Sequence, residues 1–457
     1  MRVVVSGGTG LVGEQLVMEL AADGHEVVVL TRDRTAVRGA FPPNVTTAEW
    51  DAEARRLSPE VLADAHAVVH LAGTGVADKR WSPERRRSIL ESRVGGGEAI
   101  SRAIESLDPP RRPQIVISGS AVGLYGDRGD EILTESSTRG DGFLADVCER
   151  WEQSVASDVA RTVNLRIGVV LAPSGGALER MLPPFQMGAG GRLGNGRQWM
   201  SWIHIDDLTS LIRFAIEHDE VSGPINAVSP GAVTNREFTR VLARTLGRPA
   251  IMPVPSIALR LALGEMASML LGGQRVDAGG AREAGFVWKY PDLASALAQT
   301  CSNRTKEIYR AQWVASDIDT VFSFFSDAYN LEKITPDFMG FRVLGLEPDH
   351  MGNGTTIRYR LRLRGLRMRW KSRIDSWDPP RSFVDSQIRG PYALWHHSHE
   401  FTPHEGGTLV VDRVRYRLPL GTLGDLVAGS TVGRDLKRIF AYRYEVVEAL
   451  FGAPPGF

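Results

Sequence analysis

The sequence predicts an α/β protein: a doubly wound parallel sheet with a small lobe, followed by an α+β domain. Three observations lead there. From residue 1 to about 170, short β-branched runs alternate with longer amphipathic ones; between roughly 171 and 298 the pattern loosens into Pro/Gly-rich loops; from about 304 the hydrophobic period becomes two. At 457 residues the chain exceeds what one hydrophobic core fills, which implies two or three domains.

The strand runs in order are Val3-Val4-Val5, Val27-Val28-Val29-Leu30, Ala67-Val68-Val69-His70-Leu71, Ile115-Val116-Ile117 and Val163-Asn164-Leu165-Arg166-Ile167. Strands alternating with helices make a parallel sheet. In the looser region helices are expected near Asn235 to Leu246 and Ser256 to Leu271. The longest apolar stretch, around Leu259 to Leu271, is interrupted by Arg260, Gly264 and Glu265 well short of a bilayer span, so it reads as a core helix. The polar run from Gln299 to Lys306 marks a boundary between a domain of residues 1–300 and one of residues 304–457. Past it, Ile357, Tyr359, Leu361 and Leu363 alternate with Arg358, Arg360, Arg362 and Arg364, and Leu366, Met368 and Trp370 with Arg367, Arg369 and Lys371. That is an antiparallel hairpin with one apolar and one basic face. Helices near Asp317 to Asp327 and from about Arg434 to Leu450 open and close this region.

Lys plus Arg equals Asp plus Glu at 54 each, so no overall field draws the chain to nucleic acid or an anionic membrane. Two cysteines, Cys148 and Cys301, make no disulfide framework and fit a reducing compartment, with the cytoplasm expected. The N-terminus runs straight into Arg2-Val3-Val4-Val5, and no signal peptide is read there.

Ser6-Gly7-Gly8-Thr9-Gly10-Leu11-Val12-Gly13 lies between the first strand and the first helix, with glycines spaced GxxGxxG. Glycines allow a tight turn and close approach to a pyrophosphate, and the helix N-terminus supplies amide donors and a favourable dipole. This is the signature of a Rossmann-type dinucleotide site formed by Gly7, Thr9, Gly10, Leu11, Val12 and Gly13. The second strand ends Leu30-Thr31-Arg32-Asp33, and Arg32 stands where an acidic residue would bind the ribose hydroxyls of NAD. A guanidinium suits a 2′-phosphate, which favours NADP over NAD; a solvated surface arginine is the other reading. Asp51, after the third strand, is expected at the adenine, and Leu71, Ala72 and Gly73 form a small-residue turn beside the dinucleotide.

Residues 1 to about 298 resemble the extended short-chain dehydrogenase/reductase superfamily, specifically its NAD-dependent epimerase/dehydratase-like group. Besides the glycine loop and His70-Leu71-Ala72-Gly73, the resemblance rests on the segments Ser118 to Gly126, Leu165-Arg166-Ile167-Gly168, and Trp202 to Asp207, and on a subgroup-specific tail from Gly285 to Pro291. It implies that Ser118, Arg166 and Ile167 also meet the cofactor. In the superfamily a Ser polarises the substrate and a Tyr four residues before a Lys transfers a proton. Ser120 matches the serine, but Phe143 and Val147 occupy the Tyr and Lys positions, and Arg93 stands where many relatives carry Asn. Tyr125, Cys148 and His204 are the titratable substitutes; their alternatives are a packing residue, an inert buried thiol on a helix and a loop histidine bonded near Asp206. Trp81, Arg197 and Trp199 either line a substrate pocket or pack the lobe.

Residues from about 304 to 457 resemble the START-like, helix-grip superfamily that includes polyketide cyclase-like and lipid-transfer proteins, through Tyr309 to Val314, Val321 to Phe325, the Arg-flanked hairpin, Asp412 to Pro419 and the closing helix. The resemblance implies a cavity for an apolar ligand. The arginine stripe reads as the solvated side of a strand, not a nucleic-acid face. His397 and His399 share a strand face with Trp395 and Phe401, but no carboxylate or cysteine sits at a recognised ligand spacing, so no metal is expected. Two functions follow: an NADP(H)-dependent epimerase or oxidoreductase with an atypical proton donor, acting on a small molecule, or a non-catalytic dinucleotide-binding regulator, as the cell-division-inhibitor label of some relatives suggests. The sequence leaves the substrate and oligomeric state open.

Overall fold

A computed structural model describes residues 1–155, 159–173, 175–302, 305–363, 366–404, 406–419, 424 and 429–452. The chain divides into two compact units, Met1–Val37 with Asn44–Asn303, and Arg38–Pro43 with Arg304–Phe457. Arg364 of the expected basic stripe lies outside the described residues, as do Asn303 and Arg304 of the expected boundary.

In the first unit, β1 (Arg2–Ser6), β2 (Glu26–Thr31), β3 (Val45–Glu49), β4 (Ala67–His70), β5 (Ile115–Ala121), β6 (Arg161–Ile167) and β7 (Gly223–Ala227) form a seven-stranded sheet in the order β7-β6-β5-β4-β1-β2-β3. Every pairing is parallel. The continuous valine runs fit strands buried on both faces. Val4, Val28, Val68 and Val116 lie in one register row and pack against Ile100 and Ile104 of α2 (Pro83–Glu105), whose partners also include Trp50 and Leu62. Preceding it, α1 (Leu11–Ala22) follows β1 directly. The N-terminus of α2 is fixed by Ser82, whose side chain accepts from the Arg85 amide, with Pro83 just inside the helix. Two further helices, α3 (Phe143–Ser154) and α4 (Ile205–Glu217), follow later in the unit.

The lobe contains α5 (Asn235–Leu246), capped by Thr234 at one end and by left-handed Gly247 at the other. The expected core helix is instead broken. Its first part, α6 (Ser256–Leu263), stops at Gly264 (φ +62°), and short turns carry the chain on to Leu271. No residue of α6 is buried, Ile257 and Leu261 are 71% and 76% exposed, and beyond α6 only Met266 and Ala267 are buried, so apolar content alone misplaced the stretch. The polar run after Gln299 also begins inside a helix. In α7 (Leu293–Ser302), Thr300 and Cys301 are buried, and Cys301 joins Leu171, Phe185, Trp202 and Phe238 in a common core.

The second unit holds β8 (Lys306–Val314), β9 (Arg342–Glu347), β10 (Thr356–Leu363), β11 (Leu366–Asp378), β12 (Ser382–Arg389), β13 (Leu394–His404) and β14 (Gly407–Arg417), in the order β8-β14-β13-β12-β11-β10-β9, antiparallel throughout. Ile357, Tyr359 and Leu361 are buried while Arg358, Arg360 and Arg362 are exposed, as the alternation requires. Against the buried face pack Val321, Phe322 and Phe325 of α8 (Ile318–Ser326) and Val447 of α9 (Ser430–Phe451). Asp317 caps α8 through the Thr320 amide.

Candidate functional site

The parallel register brings the carboxyl ends of β1, β2, β4, β5 and β6 to one edge, where Gly7, Arg32, Leu71, Ser120 and Ile167 all lie. Gly7 turns the chain with φ +74°, and a Cβ there would sit 2.7 Å from the Leu71 carbonyl carbon and 2.8 Å from the Ala72 nitrogen. Gly13, in the first turn of α1, lies so close to the loop that a Cβ would fall 2.2 Å from the Gly7 oxygen. Gly10 occupies the helix N-cap with no side chain to satisfy the amides of Leu11, Val12 and Gly13, and Thr9 and Gly10 are exposed. Uncapped donors behind a glycine turn fit an anion such as a pyrophosphate.

The turn after β4 is tied to β1. Leu71 donates to the Ser6 carbonyl (3.1 Å), Ala72 to Ser6 Oγ (3.3 Å), and Ser6 Oγ meets His70 Nδ1 at 2.7 Å. His70 is wholly buried, edge-on to Trp50 and Trp151, and burial pushes its pKa down to about 4. Arg32 is exposed at the tip of β2. Asp33 turns away to accept from the Thr35 hydroxyl (2.6 Å) and the Thr35 and Ala36 amides, bonds that lower its pKa. Asp51 closes a small turn, accepting from the Ala54 amide at 2.9 Å. Gly73 lies against Arg93, which donates to the Thr74 and Ile89 carbonyls and sits over the Trp151 ring; burial lowers its pKa.

Ser120 is buried and donates to Glu152 Oε1 at 2.7 Å. Its register partner Arg166 grips the same carboxylate with two bonds of 3.0 Å, and reaches Tyr125 Oη at 2.9 Å. Tyr125 in turn donates to Asn226. Glu152 went unnoticed in the sequence. The available signal was a carboxylate on the stripe of α3 that buries Cys148 and Trp151. Ser118 is fully buried, its hydroxyl donating to the Gly119 carbonyl, while Ile167 ends β6.

Phe143 packs edge-on to Trp81 (5.0 Å) with Arg86 over its ring, and Val147 is buried. Trp81, Gly123, Phe143, Leu144, Arg260 and Met269 are among the walls of a cleft of about 510 Å³; Arg197 and Trp199 are not. The Trp199 indole donates to Asp130. Cys148 is buried and its thiol is pushed up to about 11 by burial. His204 starts α4, with Nδ1 accepting from the Asp206 amide and Nε2 2.8 Å from Gln299.

In the second unit, an apolar cavity of about 140 Å³ is lined by residues including Phe325, Met339, Trp370, Ile374 and Phe440, with Asp385, His397, His399 and Arg443 in its polar wall. Spacing along one strand concealed the acids. Asp385 faces His397 across β12–β13, and Asp412 faces His399 across β13–β14.

Residues 3–228 match the NAD dependent epimerase/dehydratase family, 254–300 a domain of unknown function termed DUF1731, and 314–441 the family described as polyketide cyclase / dehydrase and lipid transport. An epimerase family protein SDR39U1 homolog, chloroplastic, from Arabidopsis thaliana is 40% identical over 303 residues, covering 65% of this chain and 86% of that protein. The Bacillus subtilis epimerase family protein YfhF is 36% identical over 308 residues, covering 66% and 99%. Among solved structures, human epimerase family protein SDR39U1 (isoform 2) with NADPH is similar at TM-score 0.60 and 34% identity, over 66% of this chain and 100% of that one. A nucleoside-diphosphate sugar epimerase from Corynebacterium glutamicum gives TM-score 0.52 and 35% identity, over 66% and 58%. Among the described residues no helix is long and apolar enough to cross a membrane.

Proposed function

The chain belongs to the NAD dependent epimerase/dehydratase family, and from that premise we propose that residues 1–300 form an NADP(H)-dependent epimerase or oxidoreductase acting on a small molecule, and residues 304–457 a domain that holds an apolar ligand. Gly7, Thr9, Gly10, Leu11, Val12 and Gly13 would hold the phosphates, a role supported by the positive φ at Gly7 and the uncapped start of α1. Arg32 would take the 2′-phosphate. Asp33 commits one carboxylate oxygen, Oδ1, to its own loop, and the human relative's structure with NADPH supports the NADP reading. Asp51 would meet the adenine; Leu71, Ala72, Gly73, Ser118, Arg166 and Ile167 would follow the rest of the dinucleotide.

When bound, the dinucleotide supplies hydride transfer. The single observation that carries the enzyme reading is the bond from Ser120 to Glu152. Ser120 Oγ accepts the proton of a substrate hydroxyl while passing its own to the Glu152 carboxylate, and Arg166 holds that carboxylate in line. Two residues thereby do the work of the missing Tyr and Lys. The regulator reading is favoured by Phe143 and Val147, which move no protons. The two cysteines, both buried and neither in a disulfide, suit a reducing, cytoplasmic setting.

The test is titration with NADPH and NADH in wild type and Arg32→Ala. Loss of charge-assisted bonds to a phosphate weakens NADPH by about 10- to 100-fold and leaves NADH unchanged. Equal affinity for both cofactors would overturn the NADP assignment, and failure to bind either would overturn the site. Ser120→Ala and Glu152→Gln that keep NADPH affinity and lose turnover support catalysis; a protein that binds NADPH but turns over no substrate in a broad screen supports the regulator.

A further inference from the structure

The polar wall of the C-terminal cavity has an arrangement that its apolar surroundings do not require. Three strands bring two histidines and two carboxylates together, all but Asp385 almost fully buried. Asp412 lies behind the pair: its Oδ1 is 3.1 Å from His397 Nε2, and 2.6 Å from His399 Nδ1 though off the line of a hydrogen bond. Backing one nitrogen of each ring with a carboxylate leaves His397 Nδ1 and His399 Nε2 as the remaining donors of lone pairs. Both approach Asp385 Oδ2, at 3.6 and 3.7 Å.

Those separations are too long for hydrogen bonds. They suit ligands sharing one ion: two donors about 2.1 Å from a metal, at an angle of about 110–120°, stand roughly 3.4–3.6 Å apart. One ligand atom from each of Asp385, His397 and His399 lies within 4.8 Å of the other two. Asp385, His397 and His399 all line the cavity, whereas Asp412 does not. Two imidazoles and one carboxylate on one side of an open pocket, with an outer carboxylate orienting the rings, is a donor set for a divalent first-row transition metal with free positions toward a ligand. Arg443 lines the same cavity; its Nη1 stands 3.7 Å from Asp412 Oδ2 as an ion pair, and neither its Nε nor its Nη1 makes a hydrogen bond.

We propose that Asp385, His397 and His399 bind one divalent transition-metal ion, and that the ion and Arg443 together receive the anionic oxygen, a carboxylate or enolate, of an otherwise apolar ligand. Asp412 is a positioning residue that holds His397 and His399.

The test uses tag-free, full-length protein stripped with a chelator and titrated with Co²⁺ as a spectroscopic probe. The expected result is visible absorption that saturates at one equivalent and is displaced by Zn²⁺. Asp385→Asn and His397→Gln, folded by circular dichroism, lose it, and Asp412→Asn binds about 10- to 100-fold more weakly, as loss of an outer-shell partner does. No absorption change in the folded wild type overturns the proposal without reference to any variant, and would mean that the four residues form a proton-sharing cluster. Undiminished Co²⁺ binding by Asp385→Asn also overturns it.

Discussion

Replacing two glycines of the dinucleotide loop and one beyond α1 by alanine separates two physical effects. Gly24→Ala tests backbone conformation alone, because φ is +80° and nothing lies within 4 Å of the new Cβ. Gly13→Ala tests crowding alone: the residue is helical, but its Cβ would stand 2.2 Å from the Gly7 oxygen and 2.8 Å from the Gly7 carbonyl carbon. Gly7→Ala combines both, with φ +74° and three backbone atoms of Leu71 and Ala72 at 2.7–2.8 Å. A left-handed non-glycine residue costs about 1–2 kcal/mol, partly offset by about 0.4–1 kcal/mol from a stiffer unfolded chain. Crowding that forces backbone to move adds about 1–3 kcal/mol. Leu71 and Ala72 yield little, since Ser6 holds both. Gly7→Ala should therefore destabilise the first unit by about 2–4 kcal/mol and Gly24→Ala by about 1 kcal/mol or less. Gly13→Ala should lie between them, its crowding offset by about 1 kcal/mol of gained helix propensity. Native-state hydrogen exchange of the β1 and β4 amides reads the opening free energy of this unit without requiring the whole chain to unfold in one step. Equal losses for Gly7→Ala and Gly24→Ala would refute the claim that contact with the β4 turn, rather than φ, sets the requirement for glycine.

Glu152→Gln should cost about 3 kcal/mol, since it leaves the nearly buried Arg166 guanidinium without its two charged bonds; equilibrium denaturation measures this, and Arg166→Met in the same background should recover part of it. His70 binds a proton less readily folded, near pH 4, than unfolded, near 6.5. Its contribution is therefore intact above about pH 6.5 and lost progressively as pH falls toward 4, amounting to roughly 3 kcal/mol; a pH series should show a shallower slope in that window in His70→Gln than in wild type. Both cysteines are buried, and the Cys148 thiol titrates near 11, so a thiol reagent at pH 8 should label neither in the native protein and both after denaturation.

The parts legible in the sequence are those whose cause is local. The glycine loop announces itself because only glycine satisfies φ +74° against a neighbouring backbone, and α5 runs from Asn235 to Leu246 as its apolar period and terminal Gly247 indicate. The hairpin of β10 and β11 follows from strict alternation. What escaped is what pairing across space creates. Nothing along β13 reveals that Asp385 and Asp412 stand beside His397 and His399, because strand register is set by turns and packing elsewhere in the sheet. The partner of Ser120 was hidden for the same reason, being contributed by a helix that follows in sequence and meets β5 only when folded. The stretch from Ser256 to Leu271 misled because apolar composition carries no information about which neighbours are present; Gly264 breaks it, and Ile257 and Leu261 face outward.

The order of the C-terminal sheet also bears on how the domain is made. Strands β9 to β14 form a meander in which each can pair as soon as its neighbour leaves the ribosome, but β8 pairs only with β14, Lys306 with Tyr416. During synthesis β8 is thus available long before its partner, with Ile308, Ala311 and Val314, all buried in the finished sheet, still uncovered. The last ladder to close spans the greatest sequence separation in the sheet and carries the largest loop-closure penalty. Nascent chains should consequently gain protease resistance in this domain in one late step, when β14 emerges, and any helper of its folding would find its target in β8.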